Sequence, residues 1–547
     1  MYKTNSSTRS NITNRLNRLN RLNIFNSNDK VLLKNNIDSL NDKIKKKSFE
    51  LFKPTLEDRK KITNIILKFI KDNKRKIYGG YAINKLIQNI NINDKIYDDN
   101  DFPDIDFYSP DPNSDIIKLC NILYDELTIK DELTIKDELT IKDKVRINGK
   151  EAKHENTYNI FVDFELYCDI TYVPNKIYNK IKFIEIDNIR YVHPHFITID
   201  YLKIISDPIC SNWRLEKSLN RLIKLQEYYP LYSTKNKINL SPSDNDVIIN
   251  NCFDTILDNI DDDNIIIGFY TYNYFVSYTK LDNKINFPFL EIISKNYVEE
   301  TNKIINLLKD KFKDNNISHV EYYPFFHYLG NSTEIYLNDE LICIIYDYNN
   351  KCYSYQNVTH NNKQIKIGSF SLILLYAMIN NFRYRIFDDN NIENLYKILI
   401  SQMIQLRNRY FIKTKTNIFS DTMFKDFILD CISPDINPDH QILIKYEKRR
   451  LNNKPSIYIY DPNKQRKEEK DNFFFRNLSG NEIKNIKHLR LNKKITDDTD
   501  EEEIINDNND DNIDNIDDID DIDDIDDIDD IDNIDNIDYN NIVKIVN

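Results

Sequence analysis

Apolar side chains at Ile62, Ile65, Ile66 and Phe69 recur at the three-and-four spacing of one helical face. Thr55 with Asp58 three residues on reads as a capping box that opens this helix. The helix leads to a short apolar strand, Ile77-Tyr78, and Gly79-Gly80 then forms a turn that opens a second helix. In Pro103-Asp104-Ile105-Asp106-Phe107 the period switches to two, which puts Asp104 and Asp106 on one face of a strand. A helical pattern over 115–144 follows, and alternation returns over 164–172, where Asp169 points away from Leu166, Cys168 and Ile170. The longest apolar stretch, 372–379, is too short to span a bilayer, and no N-terminal run has the form of a signal peptide, so a soluble intracellular protein is expected.

Part of this pattern recurs. Phe102-Pro103-Asp104-Ile105-Asp106-Phe107-Tyr108-Ser109 matches Phe287-Pro288-Phe289-Leu290-Glu291-Ile292-Ile293-Ser294 in order. Gly80 through Asn84 has a counterpart in Gly268 through Asn273 with one extra residue, and 165–170 lines up with 340–345. In this alignment Asp104, Asp106 and Asp169 correspond to Phe289, Glu291 and Ile344, so a second copy has lost its carboxylates. The competing reading of 240–390 is an unrelated α+β domain.

A chain of 547 residues, 40% hydrophobic and 12% aromatic, has room for two or three cored domains. Its seven cysteines are scattered without a CxxC pair, which points to a reducing compartment and no structural zinc. Short repeats occur as Asn-Arg-Leu triplets over 14–22, as Asp-Glu-Leu-Thr-Ile-Lys three times over 125–142, and as an Ile-Asp-Asp run near the C-terminus. The net charge of -13 misleads, because 497–538 holds 23 acidic and no basic residues. Without 497–547 the chain carries 74 basic against 65 acidic residues. The excess lies in 441–496, with 15 Lys/Arg against 6 Asp/Glu. There Tyr446, Tyr458, Tyr460 and Phe473 to Phe475 interleave with Lys448, Arg449, Arg450, Lys464, Arg466 and Lys467, a composition suited to single-stranded RNA. Tyr458 and Tyr460 equally fit a core-facing strand.

Carboxylates at i and i+2 of a strand can share a divalent cation, and hard Mg²⁺ or Mn²⁺ prefers such oxygens. Asp104 and Asp106 are therefore the expected metal ligands, with Asp106 shared by two ions. Asp169 is the third ligand, with Asp163 as its competitor. Gly79-Gly80 at a helix N-terminus lets backbone N–H groups approach phosphate oxygens. Arg214, Lys217, Arg221 and Lys224 share a helical face. They could grip a triphosphate, Lys217 foremost, or simply be solvated. The single tryptophan, Trp213, fits core packing better than base stacking, and His193 and His195 fit loop packing better than metal binding.

Gly79-Gly80-Tyr81-Ala82-Ile83-Asn84, Asp104-Ile105-Asp106, Cys168-Asp169-Ile170-Thr171 and 200–217 through Trp213-Arg214-Leu215-Glu216-Lys217 together resemble the nucleotidyltransferase superfamily. More specifically they resemble the poly(A) polymerase catalytic subunits of poxviruses and other large cytoplasmic DNA viruses, especially the mimivirus-like group. The resemblance is firm over 50–230 and weaker through about 480. It implies an α+β chain with a polymerase-β-like nucleotidyltransferase domain, a second degenerate nucleotidyltransferase-like domain and a disordered acidic C-terminal tail. The boundaries expected are 1–50 for an N-terminal extension, 51–235 catalytic, 236–395 degenerate, 396–496 helical and basic with possible RNA binding, and 497–547 tail. The activity implied is template-independent, two-metal addition of AMP from ATP to mRNA 3′ ends, with Mg²⁺ or Mn²⁺, in the virion and host cytoplasm. A homodimer or a cap-methyltransferase-like processivity subunit is the partner implied. The Gly79-Gly80 turn departs from the superfamily's Gly-Ser form, so no serine contact to the triphosphate carries over. Rival functions are a nucleotidyltransferase of other base specificity (tRNA-end or uridylyl addition) and a silent RNA-binding scaffold.

Overall fold

The computed structural model describes residues 27–52, 56–97, 102–128, 145–152, 156–231, 233–234, 238, 246–432, 438–454 and 457–465. It divides at Asn64/Ile65 into two compact units. The first holds α1 (Ser27–Phe52) and the start of α2 (Leu56–Asp72). Ile62, Ile65, Ile66 and Phe69 of α2 are buried, as their periodicity predicts. Thr55, the Asn-Arg-Leu triplets, the hexamer repeats beyond Thr128, residues 466–496 and the acidic tail lie outside the described residues.

The second unit runs β1 (Lys76–Ile77), α3 (Gly79–Ile90), β2 (Ile105–Ser109), α4 (Pro112–Thr128), β3 (Ile147–Glu151), β4 (Thr157–Val162), β5 (Glu165–Tyr172), α5 (Asn175–Lys180), β6 (Phe183–Ile186), β7 (Ile189–Val192), α6 (Pro194–Ser206) and α7 (Asn212–Tyr228). The order then repeats without an equivalent of α5. It runs α8 (Asp246–Asn259), β8 (Asn264–Ile267), α9 (Gly268–Thr279), β9 (Leu290–Ser294), α10 (Tyr297–Lys311), β10 (Ile317–Tyr322), β11 (Ser332–Leu337), β12 (Glu340–Asp347), β13 (Tyr355–His360), β14 (Lys363–Gly368), α11 (Phe370–Ile386) and α12 (Asn390–Thr414). Helix α12 thus runs through position 395, where one of the expected segment boundaries falls. The C-terminal elements are α13 (Pro438–Leu451), β15 (Ile459–Tyr460) and α14 (Pro462–Gln465).

The two sheets have one topology. Their orders are β15-β3-β4-β5-β2-β1-β7-β6 and β10-β11-β12-β9-β8-β14-β13, so apart from β15 each strand of one has its equivalent in the other. Turn chemistry repeats as well. The two-residue hairpins Asp163-Phe164 and Asp187-Asn188 in the first half, and Asn338-Asp339 and Asn361-Asn362 in the second, place both central residues at positive φ. Asn and Asp tolerate that left-handed conformation best among residues with a side chain, so the Asn- and Asp-rich composition has a local structural use. Even the register irregularity recurs, at Ile160/Phe161 and at Ile335/Tyr336.

Asp106 stands opposite Asp169 and Glu291 opposite Ile344, as the internal alignment requires, which overturns the reading of the second half as an unrelated domain. One correction applies to that alignment. Gly79, not Gly80, is the counterpart of Gly268, because both open their helices at positive φ, 68° and 71°. No extra residue is then needed, since Asn84 and Asn273 each fall five positions on. Both asparagines pin the following loop: Asn84 Oδ1 accepts from the Ile96 N–H at 2.7 Å, and Asn273 Oδ1 from the Ile285 N–H at 2.9 Å.

Helix α11 is buried along nearly its whole length, packed on α6, α12, β8 and β14. It contains the 372–379 stretch, and no described helix is long and apolar enough to cross a membrane. Cys352 and Cys431, 79 residues apart, form a disulfide with Cα atoms 5.2 Å from each other. This departs from the expected all-thiol chain, because scatter along a sequence says nothing of proximity in space.

The second half seals the position equivalent to the carboxylate site. Glu291 is fully buried, and its Oε1 accepts from Tyr396 OH at 2.8 Å, Tyr346 OH at 3.1 Å and Asn380 Nδ2 at 3.2 Å. Burial pushes its pKa up to about 7, against the pull of those hydrogen bonds, the Phe269 N–H and Arg383. The folded value lies above the ordinary carboxyl value of 4.5, so the stability this group contributes is full below pH 4.5 and lost as pH rises through 7. Glu291→Gln should remove that loss, raising stability at pH 8 relative to pH 5 by on the order of 3 kcal/mol. Urea denaturation of both proteins at the two pH values measures it, and an identical pH dependence refutes it.

Candidate active site

Parallel pairing of β2 with β5 brings Asp106 beside Asp169, and Asp104 precedes β2 by one residue. One carboxylate oxygen from each lies within 4.8 Å of the others. Such crowding disfavours full ionisation without a cation. The Asp106 pKa stands well above the usual carboxylate range, first through burial and then through Asp104 and Asp169, while Arg221 and Arg214 pull it down. Asn159, opposite Asp169 on β4, donates Nδ2–H to Asp169 Oδ1 at 2.7 Å and fixes that carboxylate's orientation. Asp163 lies in the β4–β5 hairpin and accepts from the Arg146 N–H at 2.8 Å. It does not join the cluster, so the geometry favours Asp169.

The paired glycines have different reasons to lack a side chain. A Cβ on Gly79 would lie 2.0 Å from Asp106 Oδ2, so Gly79 clears space for the carboxylate. A Cβ on Gly80 would meet Tyr97 OH at 2.5 Å and Arg221 Nη2 at 2.7 Å, so Gly80 lets a guanidinium lie over the turn. Tyr78, the residue before α3, makes no side-chain cap, which leaves the first N–H groups of that helix for a ligand.

The basic stripe of α7 divides in two. Arg221 hydrogen-bonds Tyr97 OH above Gly80. Lys217 has a lowered pKa, through burial and Arg221 first, with Asp104 and Asp106 acting in the opposite direction. Both therefore lie within electrostatic range of the carboxylates, as does Arg214 through its effect on Asp106. Lys224 instead anchors the helix by a 2.7 Å ion pair with Asp94. Trp213 is 67% exposed, which corrects the core-packing reading: a large apolar residue is not always interior. His193 begins α6 by accepting the His195 N–H at 3.2 Å, and His195 Nε2 contacts the Pro230 carbonyl at 2.9 Å, in keeping with a packing role.

Below the site Tyr78 stacks on Tyr108 with ring centroids 4.0 Å apart, and Phe326 from the second half meets Tyr108 edge-on at 5.9 Å. The β10–β11 loop that carries Phe326 is pinned by His327 to Asp200 at 3.1 Å and by Lys203 Nζ to the His327 carbonyl at 3.0 Å. This brace, Asn159 and Tyr97 went unseen in the sequence, since an Asn in a strand or a Phe in a loop carries no signal of its own.

Two residues of the basic C-terminal segment, Arg449 and Tyr460, serve the fold, while Arg450 and Lys464 remain exposed. Arg449 makes two hydrogen bonds to the Glu151 carboxylate, at 2.6 and 2.7 Å, and Tyr460 is fully buried with its OH donating to Asn121 Oδ1 at 3.0 Å. These side chains are not arranged for RNA contact.

Comparison with known proteins covers most of the chain. The family described as Poly(A) polymerase catalytic subunit matches residues 64–211, and a second family, for the C-terminal part of the mimivirus (APMV) poly(A) polymerase catalytic subunit, matches 223–493. A protein of Acanthamoeba polyphaga mimivirus named as a poly(A) polymerase catalytic subunit is 32% identical over 484 residues, covering 81% of this chain and 80% of the relative. An African swine fever virus protein of the same name is 25% identical over 173 residues, 30% of this chain and 33% of its own. Among solved structures, the crystal structure of the Megavirus polyadenylate synthase superposes with a TM-score of 0.72 at 30% identity, over 83% of this chain and 90% of that one.

Proposed function

The chain belongs to the poly(A) polymerase catalytic subunit family, and from that premise we propose how its residues divide the work of transferring AMP from ATP to an RNA 3′ end. The observation that carries the proposal is the convergence of Asp104, Asp106 and Asp169 beside a glycine that opens a helix. Three hard oxygen donors this close fit divalent cations, Mg²⁺ or Mn²⁺. Bound ions would supply charge stabilisation for the attacking and leaving oxygens. Asp106, two residues after Asp104 and directly opposite Asp169, feels the charge of both and is the one assigned to both ions. Asp169, held by Asn159, is assigned to the RNA 3′-hydroxyl and to receiving its proton. The open N–H groups at Gly79 and Gly80, together with Lys217 and Arg221, receive the triphosphate and steady the departing pyrophosphate. The residues equivalent to the site in the second half, Phe289, Glu291 and Ile344, are buried and leave it a supporting role. By resemblance to the viral enzymes, the proposal extends to tail synthesis in the virion and host cytoplasm, with a second copy or a cap-methyltransferase-like subunit giving processivity.

The test offers an oligo(A) primer to the purified full chain with each of the four nucleoside triphosphates in turn, in Mg²⁺ and in Mn²⁺. Extension with ATP in clear preference is expected. Equal or UTP-preferred extension overturns the adenylyl specificity, and no incorporation under any condition favours an RNA-binding scaffold.

A further inference from the structure

The exposed indole of Trp213 is not used by the chemistry described above. It sits in the first turn of α7, four residues before Lys217, and side chains at i and i+4 share a helical face. The other end of that face is fixed, because Arg221 lies against Gly80 and Tyr97 at the turn beside Asp106. At 1.5 Å per residue, Trp213 is about 12 Å along the helix from Arg221 and about 6 Å from Lys217. A nucleotide with its phosphates at the Gly79-Gly80 turn can reach the indole with its base. The surroundings suit this. The Arg214 guanidinium lies over the indole at 4.8 Å from the ring centroid, stiffening it, and Lys203 lies within electrostatic range of Arg214. A large aromatic surface held 67% open to water beside cations, on the face that reaches the triphosphate turn, has the properties of a stacking platform.

We propose that Trp213 stacks on the base of the incoming nucleotide and so sets the affinity for ATP. The inference rests on the assignment of Gly79, Gly80, Lys217 and Arg221 to the triphosphate. It names the incoming nucleotide rather than the RNA because the indole shares its face with Lys217 and Arg221, whereas Asp169 and Asn159, assigned to the RNA end, project from β5 and β4.

The chain has one tryptophan, so its fluorescence reports this residue alone. Titrating the primer-free full chain with a non-hydrolysable ATP analogue and Mg²⁺ should quench the emission saturably, with less quenching by the matching CTP analogue. Trp213→Ala should raise KM for ATP roughly 5- to 100-fold, the scale of one base–aromatic stack. It should leave KM for the primer within about twofold, and Trp213→Phe should recover most of the loss. Unchanged emission with the analogue, or a KM change confined to the primer, overturns the inference. Extension by the wild-type chain reads the triphosphate assignment separately: an active wild type with an unaffected Trp213→Ala variant fails only the stacking role. Failure of the wild type to extend any primer, with emission still quenched, fails the catalytic assignment and leaves the stack.

Discussion

Replacing Asp106 by Ala should abolish nucleotide incorporation, by 10³-fold or more, while leaving the protein at least as stable as before. The loss follows from its place in the cluster with Asp104 and Asp169, where it is assigned to both ions. Removing a principal electrostatic element from an active site costs on the order of 10²- to 10³-fold, and a shared ligand exceeds that because neither ion keeps its full set of donors. Stability should move the other way. The folded pKa of Asp106 lies above the ordinary value, so near neutral pH its charge opposes folding, and deletion removes that opposition. Single-turnover extension alongside thermal denaturation separates the effects. A variant that is inactive because it has unfolded contradicts the expectation, as does one that keeps a tenth of its activity. Asp163→Ala is the matched control. It gives up a turn hydrogen bond worth about 1 kcal/mol and adds the strain of alanine at a φ of 47°, but should keep wild-type turnover per folded molecule.

Gly79→Ala should be the second most damaging change, on two counts. Its φ of 68° lies in the left-handed region, which costs a side-chain-bearing residue about 1–3 kcal/mol. The new Cβ would also stand 2.0 Å from Asp106 Oδ2 and drive that carboxylate from its place. A displacement of about 1 Å at a reacting centre costs roughly 10²-fold in rate, so kcat should fall by at least that factor. Gly268→Ala imposes the same strain at φ 71°, with its Cβ 1.7 Å from Glu291 Oε2, in the half without the carboxylates. It should lower the melting temperature comparably while the molecules still folded turn over normally. If the two variants prove equally inactive per folded molecule, Gly79 has no special relation to the site.

The carboxylate cluster was legible because strand alternation is a rigid code. Asp104 and Asp106 two apart, and Asp169 on the polar face of a strand with Cys168 and Ile170 buried, needed only the parallel β2–β5 pairing to converge. The duplication was legible for the same reason, although one glycine too many shifted the match from Gly79 to Gly80. A positive φ, which the sequence does not display, settles that register. Charge and aromaticity were poorer guides, since they are used by whatever lies nearest in space. Lys224 resembled Lys217 along the helix but pairs with Asp94, and Arg449 looked like a phosphate ligand but holds Glu151. Trp213 looked like core and lies open. The Cys352–Cys431 pair, the Phe326 brace and the two-residue strand β15 arise from contacts between distant segments, for which local spacing has no signature.

Strand β15 also bears on how the protein is made. Its pairing with β3 joins residues far apart in the sequence, Ile459 with Lys150 and Tyr460 with Gly149. A ribosome delivers all three clustered carboxylates early in translation, but the outer edge of β3 in the sheet that carries them stays unpaired until Tyr460 emerges. A product of premature termination would hold the complete carboxylate set on a sheet with a bare edge, the kind of surface that recruits foreign strands. Synthesis to near the end of the described chain is thus a physical condition for covering that edge of β3.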